Sequence, residues 1–106
     1  PDFGAAVGRS VAGGEAELGV CVCGSGIGIA MAANKISGIR AATVHDATSA
    51  RLAREHNDAN VLCLGERLVD PEVASEAVRA WLGAEFEGGR HIGRVAKLAE
   101  LDGSGT

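Results

Sequence analysis

The sequence predicts an α/β fold, a three-layer α/β/α domain around a parallel sheet. Three observations predict it. Short β-rich apolar runs alternate with segments of helical spacing, which is the pattern of right-handed βαβ units. The run Leu18–Cys23 is apolar at successive positions, as a central parallel strand is. Only three residues are aromatic (Phe3, Trp81 and Phe86), so Ala, Val, Leu and Ile must fill the core, which suits stacked layers of small and branched side chains.

The elements follow in order. Residues 2–12 read as a short Ala-rich helix with glycine breaks, ended by Gly13-Gly14. Leu18–Cys23 is the first strand, Gly24–Gly28 a turn, and Ile27–Asn34 the helix that follows. Ser37-Gly38 breaks the chain before a second strand, Ile39–Val44. Asp46 can cap a helix reaching His56, with Leu52 and Ala53 on its inner face, and Asn57-Asp58 ends it. Asn60–Leu64 is a third strand closed by Gly65. Asp70-Pro71 starts a helix, with Asp at the cap and Pro at the first helical position. Val73, Ala77, Val78, Trp81 and Leu82 form its apolar stripe. Gly88-Gly89 precedes a last helix, Arg90–Leu101. Residues 1–101 are expected to form one domain and residues 102–106 a flexible tail.

Composition bounds the function. A chain of 106 residues is one small domain with a modest core. A net charge of −4 argues against nucleic acid as a partner, since phosphate backbones need a basic surface. The longest apolar run, Ile27–Ala33, is too short to span a bilayer, so no membrane partner is expected. Three cysteines and no recognisable secretory leader lead to the expectation of free thiols in a reducing cytoplasm.

The stretch VCVCGSGIGIAMAANK, residues 20–35, joins a strand to a helix through a glycine turn. Such a turn aims backbone N–H groups and the positive end of a helix dipole at one spot. Gly24, Gly26 and Gly28 therefore make a candidate anion nest, unless they serve only the sterics of the helix start. The nucleotide P-loop pattern is absent, and the dinucleotide fingerprint fails because Ile29 stands where its third glycine belongs. Asp46 lies at a suitable distance for a ribose contact, which keeps a nicotinamide reading open behind the others.

Cys23 ends the first strand, on the side where open α/β sheets place ligands. A helix N-terminus favours a thiolate, which can attack a carbonyl or remove a proton beside one. The competing reading is a small buried hydrophobe, which suits Cys63 and Cys21 better. Zinc is set aside, because C-x-C is not its usual spacing and no H-x₃₋₅-H pair accompanies it. The C-x-x-C redox motif is absent.

Arg90, His91 and Arg94 crowd positive charge at a helix N-terminus, where the dipole is already positive. They form either a phosphate site or a solvated patch balanced by Glu85 and Glu87. His56, at a helix C-terminus beside Asn57, is either structural or suited to sugar hydroxyls.

Four ordered segments tie these features together: CGSGIGIAMAANK, GIRAA, AREHNDANVLCLGERL and AWLGAEFEGGRHIGRV. Together they resemble the type B ribose-5-phosphate isomerases, the family that also holds the galactose-6-phosphate isomerase subunits. The resemblance spans Pro1 to Leu101 and implies a Rossmann-like parallel sheet. It implies a cofactor-free aldose–ketose isomerase that works through a cis-enediol(ate) on ribose 5-phosphate and ribulose 5-phosphate. A six-carbon substrate (allose or galactose 6-phosphate) and a non-catalytic sugar-phosphate-binding subunit are the alternatives.

By position, Cys23 looks like the base that moves a proton between C1 and C2, and Ser25 like its neighbour near the reacting carbons. Gly24, Gly26 and Gly28 would supply backbone donors for the enediolate oxygen. His56 matches the residue that opens the furanose ring, and Asn57 a hydroxyl contact. Arg67, Arg90 and Arg94 match phosphate ligands, with His91 beside them. The resemblance also implies a homodimer, or a dimer of dimers, whose active sites use residues of both chains. Family members begin with a strand, a helix and a second strand that have no counterpart in residues 1–106, including an Asp-His pair on the first strand. By that comparison the chain is expected to be truncated at its N-terminus.

Overall fold

A computed structural model describes residues 2–102; residue 1 and most of the expected tail, residues 103–106, lie outside the described residues. The elements are α1 (Asp2–Ala12), β1 (Gly19–Cys23), α2 (Ile27–Asn34), β2 (Ala41–Thr43), α3 (Ala47–Asn57), β3 (Val61–Gly65), α4 (Pro71–Gly83) and α5 (His91–Leu101). The strands form a parallel sheet in the order β1-β3-β2. One face packs Cys21, Val61 and Cys63 against Ile29, Ala30 and Ala33 of α2, with Val7 and Val11 of α1 joining them. The other packs Leu62 and Leu64 against Ala50 and Ala53 of α3 and Ala77 and Trp81 of α4. This is the expected three-layer α/β/α fold.

The expectation of β1 as a central strand is corrected. Among the described residues β3 lies in the middle, and all of Val61–Gly65 is buried. β1 is an edge, and its Val20 and Val22 are 40% and 57% exposed. They point to the face covered by α3 and α4, but those helices centre on β3.

Local chemistry explains the other departures. α1 is continuous, so its glycines are not breaks: Gly4 and Gly8 are buried, and let α1 press against Ile29, Ala33 and Ile36. β2 is shorter than 39–44, although Val44 N–H just past its end still donates to Cys63 O at 3.0 Å, and side chains bond its start and outer edge. Asn34 both donates to Ala41 O and accepts from Ala41 N–H, while Asn60 Oδ1 accepts from Arg40 N–H at 2.7 Å. In α3 the cap is as expected: Asp46 accepts from Ser49 N–H at 2.7 Å and Ser49 Oγ completes a capping box. Its inner face is Ala50 and Ala53, with Leu52 only half-buried. α4 begins after Asp70 with Pro71 at its first position, although the Asp70 side chain makes no cap hydrogen bond. Its stripe is anchored by Ala77 and Trp81, whereas Leu82 is exposed.

α5 is held by few contacts. Asp102, just past its end, accepts from Ser37 Oγ at 2.9 Å and from Gly38 N–H at 3.1 Å. Ile92, Leu98 and Leu101 along it are exposed.

Candidate active site

The turn after β1 is built by close packing. Gly65, at the end of β3, lies directly beneath Ser25, and a Cβ there would collide with the Ser25 backbone. Gly26 has φ 77°, a left-handed conformation that glycine adopts without strain. Thr43 Oγ1 donates to Gly26 O at 2.7 Å and ties the turn to β2.

This packing presents Cys23 at the mouth of the turn. Gly26 N–H donates to Cys23 Sγ at 3.1 Å, which fixes the sulfur. Ile27 N–H donates to Ser25 Oγ at 3.2 Å. Cys23 O accepts from Glu66 N–H and Gly24 O from Arg67 N–H, so the loop after β3 folds over the turn and the Arg67 side chain lies against Gly24. A cleft of about 590 Å³ opens here, and Cys23, Gly24, Ser25, Gly28 and Arg67 all line it. Nothing lies within 4 Å of where a Gly28 Cβ would stand. Packing therefore does not demand glycine at 28, whereas it does at 65. A bare backbone at 28 keeps the N-terminal N–H groups of α2 open to the cleft.

The three thiols are free and differ in surroundings. Cys21 and Cys63 face each other across β1 and β3 and are buried, 4% and 0% exposed. Burial pushes both thiols up, Cys63 to about 12. Cys23 is half-buried and opens to the cleft. Native alkylation at neutral pH should therefore label Cys23 and spare the other two. Peptide mapping after a short iodoacetamide exposure checks this; equal labelling of Cys63 would contradict it.

The remaining candidate residues gather elsewhere. α3 runs back between two parallel strands, so its C-terminal end lies beside the start of β3, about 16 Å of helix away from the sheet end that carries Cys23. His56 and Asn57 sit at that far end. Glu87 N–H donates to Glu55 O at 3.0 Å, which docks the segment before α5 onto it. The rings of His56 and His91 stack with centroids 4.3 Å apart and planes 14° from parallel. Both Nε2 atoms face Glu87 Oε1, at 3.6 and 3.7 Å.

His91 is buried, so it does not stand beside the arginines in solvent; its ring packs inward while Arg90 and Arg94 are exposed. Burial, with the charges of His56, Arg90 and Arg94, holds its pKa below the ordinary histidine value. Glu87, expected to balance the arginines, faces the histidines instead. Sequence reading missed this trio, because its members meet only through the docking of residues 84–90 on α3. Asn57 lines a second cleft of about 540 Å³, with Arg40, Ala41 and Leu98 among its walls.

The candidates therefore form two groups on one chain: Cys23, Gly24, Ser25, Gly26, Gly28 and Arg67 at one end of the sheet, and His56, Asn57, Arg90, His91 and Arg94 at the other. None of the second group lines the Cys23 cleft. Among the described residues no helix is long and apolar enough to cross a membrane.

Comparison with known proteins finds sugar-phosphate isomerases, named for ribose 5-phosphate and, among other relatives, for D-erythrulose 4-phosphate and galactose 6-phosphate. A family model described as Ribose/Galactose Isomerase matches residues 1–98. Ribose-5-phosphate isomerase B of Escherichia coli is 48% identical over 102 residues, covering 96% of this chain and 68% of that protein. The structure of Clostridium thermocellum ribose-5-phosphate isomerase B superposes with a TM-score of 0.95 at 50% identity, covering 100% of this chain and 72% of the other. That of the Mycoplasma genitalium ribose-5-phosphate isomerase B, with bound ribulose 5-phosphate, superposes with a TM-score of 0.93 at 42% identity, over 97% of this chain and 68% of the other.

Proposed function

Because the chain belongs to the ribose/galactose isomerase family, we propose that it is a sugar-phosphate isomerase that interconverts ribose 5-phosphate and ribulose 5-phosphate. The observation that carries this reading is Cys23, its sulfur held at the mouth of a glycine turn, in one cleft with Arg67. In the forward direction the Cys23 thiolate takes the proton from C2 of the open-chain aldose. The electron pair moves into the C1–C2 bond, and the carbonyl oxygen on C1 becomes an enediolate. A proton passes from the O2 hydroxyl to O1, and the thiol returns the carbon-bound proton to C1, so that O2 becomes the ketone oxygen and O1 the new hydroxyl. The substrate is oxidised at one carbon and reduced at the next, so the step needs no redox cofactor.

The other roles follow from chemistry and place. Gly26 N–H is taken by Cys23 Sγ and Ile27 N–H by Ser25 Oγ, so Gly26 does not serve as expected and the developing oxyanion falls to the turn's other N–H groups, at Gly24 and Gly28. Ser25 lines the same cleft. His56 opens the furanose ring and Asn57 holds a hydroxyl. Arg67, Arg90 and Arg94 bind the phosphate, and His91 buttresses His56 from beneath.

His56 and Cys23 sit at opposite ends of one chain's sheet, so this scheme needs a second copy. We infer a homodimer, alone or paired into a dimer of dimers, in which each site takes Cys23 from one subunit and His56, Asn57, Arg90 and Arg94 from the other. The exposed Val20 and Val22 on β1, and Ile92, Leu98 and Leu101 on α5, support it, since covered apolar area drives such association. The free thiols fit a reducing, cytoplasmic setting.

The test is conversion of ribose 5-phosphate, by residues 1–106 and by the same chain carrying the strand–helix–strand that the family resemblance places upstream. Turnover in either form supports the reading; faster turnover of allose or galactose 6-phosphate would transfer it to a six-carbon substrate. Binding without turnover in both forms would make the chain a sugar-phosphate-binding subunit. Arg90→Ala or Arg94→Ala should raise KM about tenfold or more, the worth of one hydrogen bond to a charged group, with kcat little changed. An equal loss on a non-phosphorylated sugar would contradict the phosphate assignment.

A further inference from the structure

We propose that His56, Glu87 and His91 form a binding site for a divalent transition-metal ion. The Nε2 atoms of both histidines and a carboxylate oxygen of Glu87 lie within 4.8 Å of one another. The two rings are nearly parallel and present their Nε2 atoms to the same oxygen. At 3.6 and 3.7 Å these separations exceed a direct N–H···O hydrogen bond. They are close to what a shared ion would set, because ligands about 2.1 Å from a tetrahedral zinc stand roughly 3.4 Å apart. Because the rings stack, their Nε2 lone pairs run nearly parallel, so a shared ion requires the half-buried His56 ring to turn toward His91 Nε2 while the exposed Glu87 closes by a few tenths of an ångström.

The donor types select the ion. Two imidazoles and one carboxylate suit zinc, cobalt or nickel rather than calcium or magnesium. His56 and Glu87 are 32% and 53% exposed, which leaves a path for the ion and a fourth position for water. Arg90 and Arg94 oppose a cation here, so the site is expected to bind moderately and reversibly. Its consequence rests on the proposed role of His56: an ion on Nε2 takes the lone pair needed for ring opening, and so inhibits turnover.

The experiment is a cobalt(II) titration of the chelator-stripped protein, followed by visible absorption. One ion per chain, with a four-coordinate d–d spectrum and no thiolate charge-transfer band, is expected. Glu87→Gln, on the surface, should weaken binding at least tenfold while the thermal unfolding curve is kept, and His56→Gln should do the same. A thiolate band, binding indifferent to both substitutions, or no binding would overturn the site. Zinc should also inhibit isomerisation, reversibly with EDTA and less in Glu87→Gln. Cobalt binding as expected without zinc inhibition would uphold the site and count against His56 as the ring-opening residue.

Discussion

Cys23→Ala is expected to lower kcat by about 10³- to 10⁴-fold, the upper range of what one positioned acid–base group contributes. Substrate affinity should change little, because the proposed mechanism gives the phosphate to arginines and the oxyanion to the backbone of the turn. The turn itself should survive, since Gly26 is held from its carbonyl by Thr43 and from below by Gly65. Cys23→Ser should recover little, as a hydroxyl is a far weaker base than a thiolate at neutral pH. Steady-state kinetics together with calorimetric binding of ribose 5-phosphate separate the two effects. Retained turnover in Cys23→Ala would remove this residue as the base. Loss of binding in step with turnover would make its role structural.

Trp81→Ala is expected to be the most destabilising single truncation. Trp81 is the largest fully buried side chain and joins α4 to α3 and the sheet. Truncating a buried aromatic of this size costs about 3–5 kcal/mol, a large part of the whole stability of a small domain. At the usual sensitivity of such domains, the midpoint of thermal unfolding should fall by about 12 °C or more. Trp81→Phe should cost much less than the Ala change. Among the described residues the indole Nε1 has no hydrogen-bond partner, and an unsatisfied buried donor carries a penalty of about 1–3 kcal/mol that Phe removes. Thermal unfolding of both variants checks this; equal losses would show that ring volume does not dominate.

The element order was legible because its boundaries are punctuated by chemistry that acts locally. Asp46 with Ser49, Asp58 in the left-handed region and Pro71 at a helix start each report on a few neighbouring residues. Strand order was not legible. GVCVC and VLCLG are equally apolar, and only the pairing of β3 with both neighbours decides which is buried. The same limit divides the site. Cys23, Gly26 and Ser25 are contiguous, so their arrangement follows from one turn. The stacking of His56 on His91, with Glu87 beside both, depends on how a loop docks on a distant helix end. The alternation of glycines and small residues in α1 gave the opposite error: positions read as breaks are contact points, because the partner helix that needs them is not visible from α1 alone.

The central claim is that each active site joins Cys23 of one subunit to His56 of another. Mixing a Cys23→Ala chain with a His56→Ala chain, each inactive alone, tests it most directly. In a two-fold dimer every mixed pair contains one intact site and one doubly damaged site, so unfolding and refolding an equal mixture should restore about a quarter of wild-type turnover. A mixture that forms mixed dimers and stays as inactive as its components would contradict the account.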